Sequence, residues 1–269
     1  GGKASDFAKN VKGIYDRGQP LVQLGMVVGT GFSTSFIPMM SQAHAQNRQN
    51  EFTRSAMSLL RMTSVFSAAA VTGLLAILPN VNNMLFGDRE GIAVLSVYIL
   101  AIFAASIMTA YHSILQSLGQ YKISLVALAA GLTVKFFGNL LLVEPLGTMG
   151  ASIALIAGLA AMVLVLWMNS ERALRDVWFT DHFVRKLLAG CVVLFVTVWA
   201  LRVGLERYLF TDGGRLTDSV IAVVTVCAGV GVFLWYILKV RLLTLREWVS
   251  IPFGKKLLRK LPDKTSDLK

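Results

Sequence analysis

The sequence predicts an all-α protein, built as a polytopic transmembrane helix bundle with about seven spans. Hydrophobic residues make up 55% of its 269 residues and charged residues only 15%, with a mean hydropathy of +0.64. A soluble domain carries about a quarter charged residues, so the polar surface that would cover a soluble globule is missing. The apolar residues also fall into runs of membrane length, and none of these runs shows the strict alternation of a barrel strand.

Each apolar run is long enough to cross the membrane as a helix, because a spanning helix needs about 20 residues. Backbone groups in lipid must pair within their own segment, which favours helices. The predicted spans are Leu21–Met40, Leu59–Leu78, Ile92–Leu115, Ile123–Val143, Met149–Met168, Leu187–Leu205 and Ser219–Leu238. We therefore expect three parts: a lead-in over residues 1–20, a seven-helix lobe over 21–240, and a basic amphipathic tail over 241–269.

The basic residues predict an orientation. Alternate connections place 17 of the 26 Lys and Arg on one side of the membrane, nine of them in the tail from Lys239 onward, and 8 on the other side, while Lys135 lies inside a span. The positive-inside rule then puts the C-terminus in the cytoplasm and the N-terminus outside the cell membrane. Because an external N-terminus needs a preceding span, we expect this chain to be part of a longer protein. The segment Asn80–Glu90 is predicted to be a short external connection.

The first span is unusual for a segment that only anchors a protein in lipid. It is rich in small residues, which let helices approach closely: Gly25, Gly29, Thr30, Gly31, Ser33, Thr34 and Ser35. We expect these residues to form a tightly packed face, with the glycines toward the bundle.

An Asp-Arg pair, Asp16–Arg17, stands immediately before this span. The planar fork of Arg suits phosphate, so Arg17 is a candidate binding residue, with Asp16 beside it. The alternative is an interfacial charge that sets topology and pairs with Asp16.

Lys135 lies about midway along the fourth span. A central Lys costs roughly 2.5–3.5 kcal/mol on insertion scales, so such residues normally face a bundle interior or a wet cavity. Gly131, Lys135 and Asn139 are spaced by four and share a helix face. We expect this polar stripe to meet an anionic ligand; the alternative is a Lys that snorkels or pairs with a neighbour. Arg61 and Arg202, near span ends, are expected to snorkel to the headgroups.

Other functional classes lack support in the sequence. There is no CxxC, HExxH or nucleotide-binding glycine loop, and the three histidines are far apart. Nothing predicts a metal, a cofactor or an enzyme. The net charge of +11 lies in the connections and the tail, which indicates anionic inner-leaflet lipid rather than nucleic acid as the tail's partner.

Three stretches carry a resemblance to a known family: GIYDRGQPLVQLGMVVGTGFSTSFIPMMSQA, ILQSLGQYK and KFFGNLLLVEPLGTMGASIA, followed by a two-span tail. Over Lys12–Val240 the chain resembles the MurJ-type flippases (the Gram-positive YtgP/SpoVB branch) of the MOP superfamily. The resemblance implies a fourteen-helix, MATE-like transporter with two lobes and a central cavity. This chain would supply helices eight to fourteen, and helices one to seven would lie in a missing N-terminal half, in the same or a separate chain. Asp16 and Arg17 match the cavity Asp-Arg pair at the start of helix eight.

The function that this resemblance implies is flipping of lipid II, the undecaprenyl-diphosphate-linked peptidoglycan precursor, by alternating access. Arg17 and Lys135 would pair with the diphosphate, and Asp16 would hold Arg17 while the site is empty. One alternative is a flippase for another lipid-linked polysaccharide or a MATE-type antiporter, although no carboxylate lies inside a predicted span. Another is a non-transporting scaffold in cell-wall or sporulation assembly.

Overall fold

Seven long helices make up the bundle, as predicted. The computed structural model describes residues 13, 16–88, 90–178, 182–208, 215–240 and 242. In chain order, the helices are α1 (Gly18–Ala45), α2 (Gln49–Phe86), α3 (Ile92–Ser117), α4 (Tyr121–Leu146), α5 (Thr148–Met168), α6 (Phe183–Tyr208) and α7 (Arg215–Val240). All seven are long and apolar enough to cross a membrane. A one-turn helix, Arg172–Arg175, and a short 3-10 turn follow α5. Most of the tail and of the lead-in lie outside the described residues.

The two central helices of the bundle are α2 and α3. Helix α1 packs on both of them, α5 packs on α3, and α4 packs chiefly on α5. Helices α6 and α7 pair with each other, and both contact α2. The α4–α5 hairpin and the α6–α7 hairpin therefore lie at opposite sides of the bundle, and consecutive helices run antiparallel.

Helix α2 differs from its prediction in length. It has 38 residues and continues through Pro79 to Phe86, so most of the segment predicted as an external connection is helical. At 1.5 Å per residue it is about 57 Å long, nearly twice the hydrocarbon thickness. Asn80 and Asn82 in this last part are buried, with hydrogen bonds to carboxylates of α6 and α7 and to a turn carbonyl, which explains why the helix persists. Gly87 ends it with a φ of 79°.

Close packing of α1 on α3 confirms half of the small-residue prediction. A Cβ on Gly25 would lie 2.5 Å from the Ile102 side chain, and one on Gly29 would lie 3.2 Å from the Ser106 hydroxyl. Gly31 departs from the prediction, because it is exposed and a Cβ there would meet nothing within 4 Å. Its exposed neighbours Thr30 and Thr34 donate their hydroxyl hydrogens to carbonyls of their own helix, so that face is polar but locally satisfied.

Candidate substrate-binding residues

Arg17 is held by a two-point contact at the start of α1. Its Nη1 and Nη2 atoms donate to the two carboxylate oxygens of Asp88 over 2.6 and 2.8 Å. The guanidinium also lies over the ring of Phe86, 4.9 Å from its centroid. This is the fork-to-carboxylate geometry in which Arg also binds phosphate. The contact joins α1 to the connection between α2 and α3.

The connection that carries Asp88 has a defined shape. Gly87 and Gly91 flank it, with φ angles of 79° and 70° that side chains other than Gly rarely adopt. The Glu90 amide donates to Asp88 Oδ1 over 3.0 Å, and the Asn82 side chain donates to the Glu90 carbonyl over 2.9 Å. Asp88 is therefore presented to Arg17 by a turn that is tied back to α2.

Two sets of hydrogen bonds hold the pKa of Asp88 below its usual value. Those from Arg17 have the larger effect, and the one from the Glu90 amide has the smaller. Because the pKa of Asp88 is lower in the folded state, its ionised carboxylate stabilises the fold at pH values above the unfolded-state pKa of about 3.9. This stabilisation is lost as the pH falls through the folded-state pKa. The Arg17–Asp88 pair is therefore intact at neutral pH.

The prediction that Asp16 pairs with Arg17 is wrong, because a different carboxylate binds Arg17. Asp16 is exposed, and the Arg17 fork is bound by Asp88, 71 positions along the chain. Sequence reasoning missed Asp88 because the contact is non-local. One signal was present: Asp88 falls in a connection predicted to lie on the same side of the membrane as Arg17.

Lys135 and Asn139 lie on the side of α4 that faces α5. A Cβ on Gly158 of α5 would lie 2.9 Å from Lys135 Cβ, so the base of the lysine side chain sits in the seam between the two helices. The side chain is half-buried and forms no hydrogen bond or ion pair within the described part of the chain. One turn along, Asn139 Oδ1 is buried and accepts no hydrogen bond from any described residue. The described part of the chain thus leaves a cation and an acceptor without partners midway along a span.

The structure keeps Arg17 and Lys135 apart. Arg17 precedes α1 at one end of the bundle, and Lys135 is eleven residues from the end of α4 that lies at the same level. At 1.5 Å per residue, the two levels differ by about 17 Å along the helix axes. The described part of the chain therefore presents two separate cationic positions.

Sequence reasoning missed a polar cluster where α6 and α7 meet α2. Asn80 Nδ2 donates to Glu206 Oε1 over 2.9 Å and to Asp218 Oδ1 over 2.8 Å, and Asn83 donates to the other Asp218 oxygen. Asp218 is only 1% exposed in the first turn of α7, so a buried carboxylate lies at the end of this span, one residue before its predicted start at Ser219. It was missed because Asn80 was assigned to a connection and α7 begins earlier than predicted.

Arg202 belongs to the same region. Its Nη1 donates to the Ala76 carbonyl over 2.9 Å, and its Nε lies 3.8 Å from Glu206. The expectation that Arg202 snorkels to the headgroups is therefore wrong: the helix α2 backbone supplies an acceptor nearer than the membrane surface.

We expect Asn80→Ala to destabilise the protein by about 3 kcal/mol, because it removes a donor shared by the buried Asp218 and the part-buried Glu206. The thermal unfolding midpoint of purified protein should fall by about 6–12 °C. Asn169→Ala is the matched control, since Asn169 is exposed and donates only to Val165 of its own helix. Equal midpoints for the two variants would contradict a stabilising role for the cluster.

The fold defines a polytopic, all-helical membrane protein. No protein-family model matches the chain. Over 258 residues, it is 34% identical to a protein of Bacillus subtilis (strain 168) described as "Uncharacterized membrane protein YabM". The match covers 96% of this chain and 48% of the relative, so the chain spans about half the length of the curated relative that it matches. The likeness supports the membrane assignment and extends over all seven helices.

Proposed function

We propose that this chain is the C-terminal half of a flippase for a lipid-linked diphosphate, with lipid II as the substrate, that works by alternating access. The observation that carries the proposal is the half-buried Lys135, midway along α4 and without an ionic partner in the described residues, next to the unsatisfied Asn139 carbonyl. A span that only anchors a protein gains nothing from such groups, whereas a translocation pathway for a charged headgroup needs them.

Arg17 supports the same proposal at the end of the bundle. Its fork is satisfied by one carboxylate, and the diphosphate oxygens of a substrate would compete for the same two N–H positions. Asp88 takes the part that the sequence assigned to Asp16: it holds Arg17 while the site is empty. The headgroup would first meet one cation and then the other, because the two lie at different depths. The remaining half of the cavity would come from the helices that this chain does not contain.

A second transport function has an observation in its favour. A cation-coupled antiporter needs carboxylates within the membrane, and Glu206 and Asp218 share the Asn80 amide between α2, α6 and α7. Their donors already engage them, so we assign them a structural role and rank this function second. Asp218→Asn, which keeps the shape of the side chain, should leave flipping intact. Loss of a pH- or sodium-dependent flux in that variant would favour the antiporter.

The proposal is tested by Lys135→Met in the native polypeptide. This substitution keeps an unbranched side chain only one atom shorter and removes its charge, so the α4–α5 seam should still pack. We expect flipping of labelled lipid II in vesicles to fall at least about tenfold, while the amount of inserted protein is unchanged. The matched control is Lys122→Met, which removes an exposed charge from the first turn of the same helix.

Unchanged flipping by Lys135→Met would make Lys135 structural and remove the observation on which the proposal stands. Absence of lipid II flipping in the unmodified protein, with normal transport of another lipid-linked glycan, would move the substrate assignment to that class. A protein that transports neither would fit a membrane scaffold.

A further inference from the structure

Helix α1 carries a line of polar side chains on its exposed side. Gln19, Gln23, Thr30 and Thr34 are all exposed, and at about 100° per residue they fall within about 60° of arc. At 1.5 Å per residue the line is about 22 Å long, which is most of the hydrocarbon thickness. A polar line of this length is unusual for a helix surface that meets only lipid.

The packing of α1 on α3 shows which way this line faces. A Cβ on Gly25 would meet Ile102 and one on Gly29 would meet Ser106, so the contacts advance along both helices together and the helices run parallel. Measured round α1 from these two glycines, Thr30 lies about 120° away. The polar line therefore faces one open side of the α1–α3 pair.

Helix α3 exposes polar side chains on the same side of the pair. His112 and Gln116 are exposed, and they lie about 100° and 60° round α3 from the two residues that contact α1. This rotation has the opposite sense to that of the polar line round α1. In a parallel pair, opposite rotations from the shared contact lead to the same side. Six residues therefore form one surface, which we call the polar wall: Gln19, Gln23, Thr30, Thr34, His112 and Gln116.

The backbone of α1 is also open beside the polar wall. Pro38 has no N–H, so the Thr34 carbonyl, four residues earlier, lacks its usual helical donor. Pro38 is exposed, and a Cβ on Gly31 would meet nothing within 4 Å. Hydrocarbon supplies no donor, so such a carbonyl needs protein or water beside it. The exposed side of α4 differs, because residues such as Leu132 and Phe136 make it apolar, as lipid contact requires.

The polar wall offers hydrogen-bonding groups but no Lys or Arg. The Thr30 and Thr34 hydroxyls donate to carbonyls of their own helix, so their oxygens remain as acceptors. Gln19 and Gln23 form no hydrogen bond within the described part of the chain, and an amide both donates and accepts. Acceptors and amides of this kind fit the hydroxyl groups of a saccharide, whereas a diphosphate requires cations.

We infer that the polar wall binds the saccharide of the substrate while the cationic positions bind its diphosphate. This inference rests on the proposed function and adds the part of the same site that recognises sugar. Gln23 lies six residues beyond Arg17, so the two levels differ by about 9 Å. The diphosphate and the saccharide of one substrate molecule are therefore held side by side at the start of α1, and the rest of the wall continues the path along the helix.

Cysteine labelling in proteoliposomes tests the polar wall. Thr34→Cys is introduced into the native polypeptide after Cys191 and Cys227 have been replaced by Ser. We expect the new thiol to react with a water-soluble maleimide. Lipid II at about four times its Kd should slow the reaction about fivefold, and undecaprenyl diphosphate, which carries no sugar, should not slow it.

Thr133→Cys in the same background is the matched control. Thr133 is exposed on α4, and its hydroxyl likewise donates to the carbonyl four residues earlier. This thiol should remain unlabelled because it meets lipid. A second variant, Thr34→Val, keeps the shape of the side chain but removes its acceptor. Loss of one hydrogen bond should raise the apparent KM for lipid II about fivefold and leave kcat unchanged.

Three outcomes would overturn the inference: no reaction of Thr34→Cys, equal labelling of the two variants, or equal protection by lipid II and undecaprenyl diphosphate. Failure of the proposed function is seen separately, as absence of lipid II flipping by the parent protein with both Cys replaced. In that case, protection of Thr34→Cys by another lipid-linked glycan would retain the polar wall as a saccharide site, and protection by none would exclude it.

Discussion

Replacing Arg17 by Ala is expected to abolish growth when the variant replaces the native protein in a flippase-depleted strain. The substitution removes both N–H donors of the fork and leaves only one cationic position for a diphosphate. Truncating one partner of a hydrogen-bonded charge pair costs about 2–5 kcal/mol. Flipping of labelled lipid II in vesicles should therefore fall by about two orders of magnitude, with normal insertion of the protein.

The Asp88→Asn variant tests whether Arg17 binds the substrate or only fastens α1 to the α2–α3 connection. Asn is nearly isosteric with Asp but lacks the negative charge that competes with phosphate, so the variant should bind the lipid-linked diphosphate at least as tightly as the unmodified protein. It should also flip lipid II at a rate within about threefold of normal, because its side-chain oxygen still accepts one Arg17 hydrogen bond.

Two outcomes would contradict this account. Normal growth with Arg17→Ala would exclude a substrate role for Arg17. Equal loss of function in Arg17→Ala and Asp88→Asn would mean that the pair only fastens α1 to the α2–α3 connection. Arg17→Lys gives a further distinction: it keeps the charge without the fork, so intermediate activity would show that bidentate geometry contributes beyond charge.

Gly150→Ala is expected to separate α4 from α5 and to destabilise the protein by about 3 kcal/mol or more. An added Cβ would overlap the backbone carbonyl of Leu142, which cannot move aside as a flexible side chain would. Gly158 and Gly131 meet farther along the same seam, where a Cβ on Gly158 would lie 2.9 Å from the Gly131 carbonyl oxygen. We expect reduced recovery of folded protein and a lower thermal midpoint.

The control for this prediction is Gly204→Ala in α6, where an added Cβ would meet nothing within 4 Å. Ala favours a helix interior by about 1 kcal/mol over Gly, so this variant should be neutral or slightly stabilised. A Gly150→Ala protein as stable as the Gly204→Ala protein would contradict the close approach of α4 and α5.

The sequence predicted the spans well because their length and apolar composition are local properties. Each of the seven predicted runs lies within one observed helix, including Met149–Met168, whose end agrees with that of α5. The largest error was at Asn80–Glu90, where polar residues indicated a connection. Asn80 and Asn82 are instead fully buried, because carboxylates of α6 and α7 and a turn carbonyl accept their hydrogen bonds.

The candidate site was predictable only in its individual residues. The unusual positions of Arg17 and Lys135 are visible along the chain, since a cation at a span entrance or a span centre is costly in lipid. What they contact was not visible. The partner of Arg17 is 71 residues away, and the polar stripe of α4 faces α5 because Gly131 and Gly158 let the two backbones approach.

The sequence by itself determined that this protein is a bundle of apolar helices in a membrane, because the transfer free energy of each segment depends only on its own residues. Tertiary structure decided which charges are satisfied: Arg17 is bound by Asp88, Asp218 by amides of α2, and Lys135 and Asn139 by no described residue. The physical reason is that a hydrogen bond or ion pair requires two groups within about 3 Å, and only the packing of helices distant in sequence brings those groups together.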